Sequence, residues 1–172
     1  NEMPEEMVVF NKPVSAISDE LSSFRDEPLH YEGEICFLIR GGEYSAVAFG
    51  LDITKRALQS RLRNQGLPWE RAKAFDGAAL FSRFVAIPKS IDNLKLKLDV
   101  NQQTRQCGGV DLMIYKPEKI LRELNRFITL YDGDIVMTGT PKGVGQINAN
   151  DLFRGTIYNG EESLTTGSWR AC

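Results

Sequence analysis

Residues 29–39, Leu-His-Tyr-Glu-Gly-Glu-Ile-Cys-Phe-Leu-Ile, place the tightest constraint on any fold of this chain. Aromatic and β-branched residues, bounded by Pro28 and by Gly41-Gly42, predict a β-strand. Side chains alternate along a strand, so His30, Glu32 and Glu34 share one face, which continues through Cys36 and Leu38. At a rise of about 3.3 Å per residue, Glu32 and Glu34 stand roughly 6–7 Å apart at the backbone. Two carboxylates leading into an apolar run have two physical outcomes. They can lie at a solvated strand edge, where charged residues usually are. Otherwise burial and mutual repulsion raise a carboxyl pKa unless a cation offsets the charge. Oxygen-rich sites of that kind suit Mg²⁺, Mn²⁺ or Ca²⁺.

The 172 residues fit one domain with a real core. A net charge of −2 with no basic block argues against nucleic acid as a partner. No apolar run approaches the roughly 20 residues of a membrane helix, so no membrane is expected, and no leader sequence is visible. Cys36, Cys107 and Cys172 lack metal-type spacing; Cys36 reads as a small core residue, and a reducing, cytoplasmic setting is the expectation. His30 is the single histidine, which excludes a His-rich zinc site.

The remaining pattern is mostly β. Short strands are predicted over Met7–Phe10, Tyr44–Ile53, Phe81–Ile87, Leu94–Val100, Ile135–Thr138, Leu152–Tyr158 and Ser163–Trp169, with a hairpin turn at Gly41-Gly42 and a loop over 14–28. In the second strand Val47, Phe49, Leu51 and Ile53 make the large apolar face. Ala46, Ala48, Gly50 and Asp52 make the other, leaving room around a carboxylate. A helix over Thr54–Gln65 is expected, capped by Asp52 or Thr54, and a longer one over Pro117–Leu130 with an apolar stripe from Ile120 to Ile128. Lys73, among Ala72, Ala74 and Phe75, either binds an anion or snorkels from a core edge. The glycine-rich stretch Thr138–Gly145 could cradle an anion through backbone N–H groups, but lacks the Gly-Lys-Ser/Thr of a phosphate loop.

Four segments taken together resemble one family. His-Tyr-Glu-Gly-Glu at 30–34, Gly-Leu-Asp-Ile-Thr-Lys-Arg at 50–56, Pro-Trp-Glu-Arg-Ala-Lys-Ala-Phe-Asp at 68–76 and Gly-Asp-Ile-Val-Met-Thr-Gly-Thr-Pro-Lys-Gly-Val-Gly at 133–145 are similar to the fumarylacetoacetate hydrolase family, nearest its small acylpyruvase and oxaloacetate decarboxylase branch. The resemblance implies a mixed α/β, mostly β fold, the family's C-terminal-domain β-roll with a few short helices, usually a homodimer with one Mg²⁺ or Mn²⁺ per subunit. By position it implies Glu32, Glu34 and Asp52 as metal ligands and Arg56, Gln59, Lys73, Gly139 and Thr140 as substrate-binding residues. Lys73 matches the active-site lysine, and Thr140 the threonine that holds the substrate carboxylate.

Family members usually begin with an earlier strand and a lid carrying a His-x-x-Glu pair that orients or activates water. The expectation here is a single catalytic domain over residues 1–172 without that strand and lid. His30 then has two readings, a catalytic base or a residue orienting Glu32. The implied activity is metal-dependent hydrolysis or decarboxylation of a short 2-oxo or 2,4-dioxo acid (acylpyruvate, fumarylpyruvate or oxaloacetate) through an enolate that the metal stabilises as a Lewis acid. The alternatives are a 2-oxo acid tautomerase of the same family and a non-catalytic metal-binding module.

Overall fold

The computed structural model describes residues 6–172. Its strands are β1 (Leu29–Arg40), β2 (Glu43–Lys55), β3 (Ala79–Phe81), β4 (Val85–Ala86), β5 (Leu94–Val100), β6 (Gln103–Gly109), β7 (Ile135–Met137), β8 (Gly145–Gln146), β9 (Leu152–Asn159) and β10 (Glu162–Arg170). Three short helices join them: α1 (Arg56–Asn64), α2 (Glu70–Lys73) and α3 (Pro117–Leu124). One sheet runs β3-β2-β1-β7, with β4 also on β2 and β8 also on β1; the other runs β10-β9-β5-β6. This is the mixed, mostly β roll expected from the sequence.

The β1–β2 hairpin is the spine. Gly41 and Gly42 both take positive φ (61° and 78°), the geometry of a two-residue turn that matches strand twist. The turn sets a register in which Glu32 faces Asp52 and Glu34 faces Gly50. Odd-numbered β1 residues (Leu29, Tyr31, Ile35, Phe37) join Val47, Phe49, Leu51 and Ile53 of β2 in the main core, packed with Leu94, Leu96 and Leu98 of β5 and with Phe153 and Ile157 of β9. The even face therefore carries the acidic residues away from that core. The room expected beside the small residues is filled: a Cβ on Gly50 would meet Cys36 Sγ at 2.4 Å and Phe81 at 3.0 Å.

Several local expectations are corrected. Residues 7–10 form no strand; Val8 and Val9 are exposed, and the segment is held instead by Lys12 (below). The predicted strand 81–87 is two pieces, because Ser82 Oγ accepts the Phe49 N–H at 2.9 Å and interrupts the ladder. The first helix starts after β2, at Arg56, and neither Asp52 nor Thr54 caps it. The Glu27 carboxylate accepts the N–H groups of Ala57 (2.8 Å) and Leu58 (3.2 Å) from outside, a favourable charge at a helix N-terminus. The helix expected over Pro117–Leu130, α3, is shorter than the stripe implied. It ends at Leu124, Phe127 is exposed, and Ile120, Leu121 and Leu124 make a small separate cluster with Ile39 and Val136. Among the described residues no helix is long and apolar enough to cross a membrane.

The contact between sheets depends on Gly155 of β9, where an added Cβ would lie 2.1 Å from the Phe49 ring. Gly155→Ala is expected to destabilise the fold by about 1–3 kcal/mol, the usual cost of overpacking, read as a lower urea midpoint with an unchanged slope.

Candidate functional site

The register delivers three carboxylates to one place. Oxygens of Glu32, Glu34 and Asp52 lie within 4.8 Å of one another. Glu34 and Asp52 are 4% and 2% exposed, so the solvated-edge reading fails for both. Like charges directly opposite on paired strands repel, and burial removes the water that would screen them.

Two buried ammonium groups meet that cost. Lys73, on the single turn of α2, sends Nζ to Glu32 Oε2 (2.8 Å), Asp52 Oδ2 (2.6 Å) and Thr54 Oγ1 (2.6 Å). It does not snorkel. Lys12 places Nζ 2.7 Å from Asp52 Oδ1 and donates to the carbonyls of Ala78 (2.9 Å) and Lys73. Its approach to Oδ1 is an ion pair without the direction of a hydrogen bond, and among the described residues that buried oxygen accepts none. Phe10 lies over the Lys73 ammonium, with Nζ 5.1 Å from its ring centre.

The rim is less tightly built. Arg56 reaches Glu32 Oε1 at 3.5 Å and Gln59 Oε1 at 2.9 Å, which brings both expected helix residues to the margin. The Gly139 N–H donates to Glu34 Oε2 at 2.8 Å, so the backbone of the glycine-rich loop meets a protein carboxyl group. Thr140 Oγ1 donates to the Gly33 carbonyl at 2.9 Å. His30 shares the face of Glu32 but opposes Thr54 and Gln146, and no hydrogen bond joins it to Glu32 among the described residues.

Protonation follows from these environments. Burial, and then the Asp52 charge, push the Glu34 carboxyl up to about 8. Burial raises Glu32 as well, against the pull of Lys73. For Lys73, burial works downward but the Asp52 and Glu32 carboxylates outweigh it, so its pKa is raised. Burial lowers Lys12 despite Asp52, and burial with the Arg56 charge lowers His30.

Three clustered carboxylates offer hard oxygen donors of the kind that fit a divalent cation. These features define a class: a β roll with a three-carboxylate cluster on one sheet face, flanked by lysines and a glycine-rich loop. The family described as fumarylacetoacetate (FAA) hydrolase C-terminal matches residues 1–168, and the chain belongs to that family. It is 36% identical over 173 residues to the mitochondrial oxaloacetate tautomerase FAHD1 of Bos taurus, covering 90% of this chain and 78% of that one. It is 35% identical over 182 residues to oxaloacetate tautomerase YcgM of Escherichia coli (strain K12), covering 95% and 82%. Fumarylpyruvate hydrolase from Pseudomonas aeruginosa, solved in complex with Mn²⁺ and pyruvate, superposes with a TM-score of 0.80 at 31% identity, over 94% of this chain and 77% of that one.

Lys12, Thr54 and Gln106 (below) were not legible as site residues. Lys12 carries one weak signal, a lysine directly after the apolar run Val8-Val9-Phe10. The metal-free site predicts a pH signature. The folded Glu34 value of about 8 lies above its unfolded value of 4.5, so its contribution to stability is complete below 4.5 and is lost as pH rises to about 8. Glu34→Gln should therefore melt higher than the parent in EDTA, by a margin that grows across that window, and should lose stabilisation by added Mn²⁺.

Proposed function

We propose that this chain is a divalent-cation-dependent enzyme of short 2-oxo acids, with keto–enol tautomerisation of oxaloacetate as its main reaction. The observation that carries the reading is the buried Lys73 ammonium beside three clustered carboxylates and the Gly139–Thr140 loop. The naming of the curated relatives adds oxaloacetate as the substrate. A Mg²⁺ or Mn²⁺ held by Glu32, Glu34 and Asp52 would polarise the 2-oxo group as a Lewis acid.

The chain's own groups supply the rest. Three carboxylates, two lysines and Arg56 make a formally neutral cluster, so a divalent cation leaves two positive charges for a dianionic substrate. Thr140 and Gly139 would hold one substrate carboxylate, and Arg56 with Gln59 the other at the rim. Lys73 Nζ keeps its proton, and its positive charge, held in place by Glu32, Asp52 and Thr54, would stabilise the oxygen that gains charge as the enolate develops. His30, with its pKa lowered, is neutral at pH 7 and so retains the lone pair a base needs. Hydrolysis of acylpyruvates is the second reading, favoured by the likeness to the fumarylpyruvate hydrolase.

Residues 1–172 are read as one catalytic unit working as a homodimer. Leu112, Ile114, Phe127 and Tyr131 are each more than 60% exposed, an apolar surface that a second copy would cover. Cys36, Cys107 and Cys172 are unpaired, which suits a reducing compartment such as the cytoplasm.

The test is ketonisation of enol-oxaloacetate followed by ultraviolet absorbance. Activity should vanish in EDTA, return with Mg²⁺ or Mn²⁺, and fall by about 10²-fold or more in kcat/KM for Asp52→Asn. Full activity of Asp52→Asn, or activity untouched by EDTA, would overturn the proposal.

A further inference from the structure

We infer that Gln106 is a positioning residue for the substrate carboxylate: it holds the Thr140 hydroxyl at the site from behind. The inference rests on the substrate role of Thr140 proposed above.

The reason is a gap in the first sheet. On the open side of β1, β8 pairs only with His30 and Tyr31, and β7 only with Cys36, Phe37 and Leu38. Between those pairings the chain leaves the sheet through residues 138–144, and β1 has no strand beside Glu32–Ile35 on that side. Its backbone groups are met mostly by side chains, with the Thr138 N–H adding a longer bond to Ile35 O at 3.3 Å. Thr138 Oγ1 donates to Ile35 O at 2.8 Å, and Thr140 Oγ1 donates to Gly33 O at 2.9 Å. The Gly33 N–H, between two of the acidic residues, donates to Gln106 Oε1 at 2.8 Å.

Gln106 comes from the other sheet, on β6, and is 1% exposed. Its amide nitrogen donates to Thr140 Oγ1 and to Pro141 O, both at 2.8 Å. Both amide protons and the amide oxygen are thus engaged, and this side chain links the acidic strand to the loop. Glycines allow the close approach. A Cβ on Gly33 would meet Gln106 Oε1 at 3.0 Å, one on Gly108 would meet Pro141 Cβ at 2.9 Å, and one on Gly143 would lie 2.0 Å from Arg105 O.

The direction of these bonds matters for binding. Thr140 has one hydroxyl proton, and here it points to Gly33 O. To receive a substrate carboxylate the proton must turn away from that carbonyl. Gln106 needs only a lone pair of Oγ1, so it can keep the oxygen in place while the proton turns. A hydroxyl that accepts a hydrogen bond is also a stronger donor. Gln106 therefore acts on anion binding through Thr140, without touching the cation ligands' side chains.

The experiment is calorimetric titration of the whole chain with Mn²⁺, and then of the Mn²⁺-loaded chain with oxalate. The parent, Gln106→Glu, Gln106→Met, Thr140→Val and the double variant Gln106→Met/Thr140→Val are compared. Gln106→Glu keeps an acceptor for Gly33 N–H and removes both donors. The expected result is Mn²⁺ affinity within about threefold of the parent, and oxalate affinity lowered about tenfold or more in both Gln106 variants. In the Thr140→Val background, Gln106→Met should cost little more, since the two act as one unit. Gly108→Ala, which displaces Pro141 without altering Gln106, should show the same split and serves if the Gln106 variants do not fold. An oxalate loss equal with and without Thr140, or no loss in any variant of the strut, would overturn the inference. A parent that binds Mn²⁺ but not oxalate would instead remove the substrate reading beneath it, and the inference with it.

Discussion

The sheet face depends on one buried ammonium. Lys73 is shared by Glu32, Asp52 and Thr54, residues from two strands whose register puts like charges opposite each other. Without a cation at that point, Glu32 and Asp52 would face each other with only Lys12 and the more distant Arg56 to offset them. Breaking such a buried arrangement by removing one member costs on the order of 3–5 kcal/mol, because the rest is left uncompensated. Lys12 repeats the solution from the other side of Asp52. Lys73 sits on the single turn of α2 and Lys12 on an irregular segment, so the ion pairs also hold α2 and the 10–13 segment onto the sheet. The arrangement resists collapse of the site, yet burial and the Asp52 charge still push the Glu34 carboxyl up to about 8. A site of this kind gains from a divalent cation.

The second constraint is the break between β7 and β8. A continuous strand there would satisfy the backbone of β1 and close the site. The glycine-rich loop takes its place, with Thr138, Thr140 and Gln106 supplying the missing hydrogen bonds. The loop can then face a ligand while its backbone stays anchored. The same loop supplies the Gly139 N–H to Glu34, so the carboxylate cluster and the glycine-rich loop share one mechanical unit.

Much of this was legible in the sequence, and the limits are physical. Alternation put Glu32 and Glu34 on one face of the first strand and Asp52 on the small-residue face of the second; the resemblance grouped the three, and the register set by the two-glycine turn brings them together. Lys73 stood open between two readings; the structure overturns the snorkelling one, because its ammonium is buried against Glu32 and Asp52. Lys12 was missed because its partners, Asp52 and Ala78, are distant in sequence. Gln106 was missed because a glutamine in a polar strand carries no periodic signal. The helix cap went to Asp52 by proximity, whereas Glu27 reached it through space and Asp52 was already engaged by two lysines. Local pattern finds faces and turns; charge compensation between distant segments needs the folded chain.

The most direct test of the central claim is thermal unfolding of the chain in EDTA, in Mg²⁺ and in Mn²⁺, each with and without oxalate. A cation that binds only the folded state must raise the melting temperature as its concentration passes Kd. The account predicts stabilisation by either cation, and a further rise with oxalate only when the cation is present. A melting temperature indifferent to both cations would contradict it, because the buried carboxylates would then be satisfied by their lysines alone.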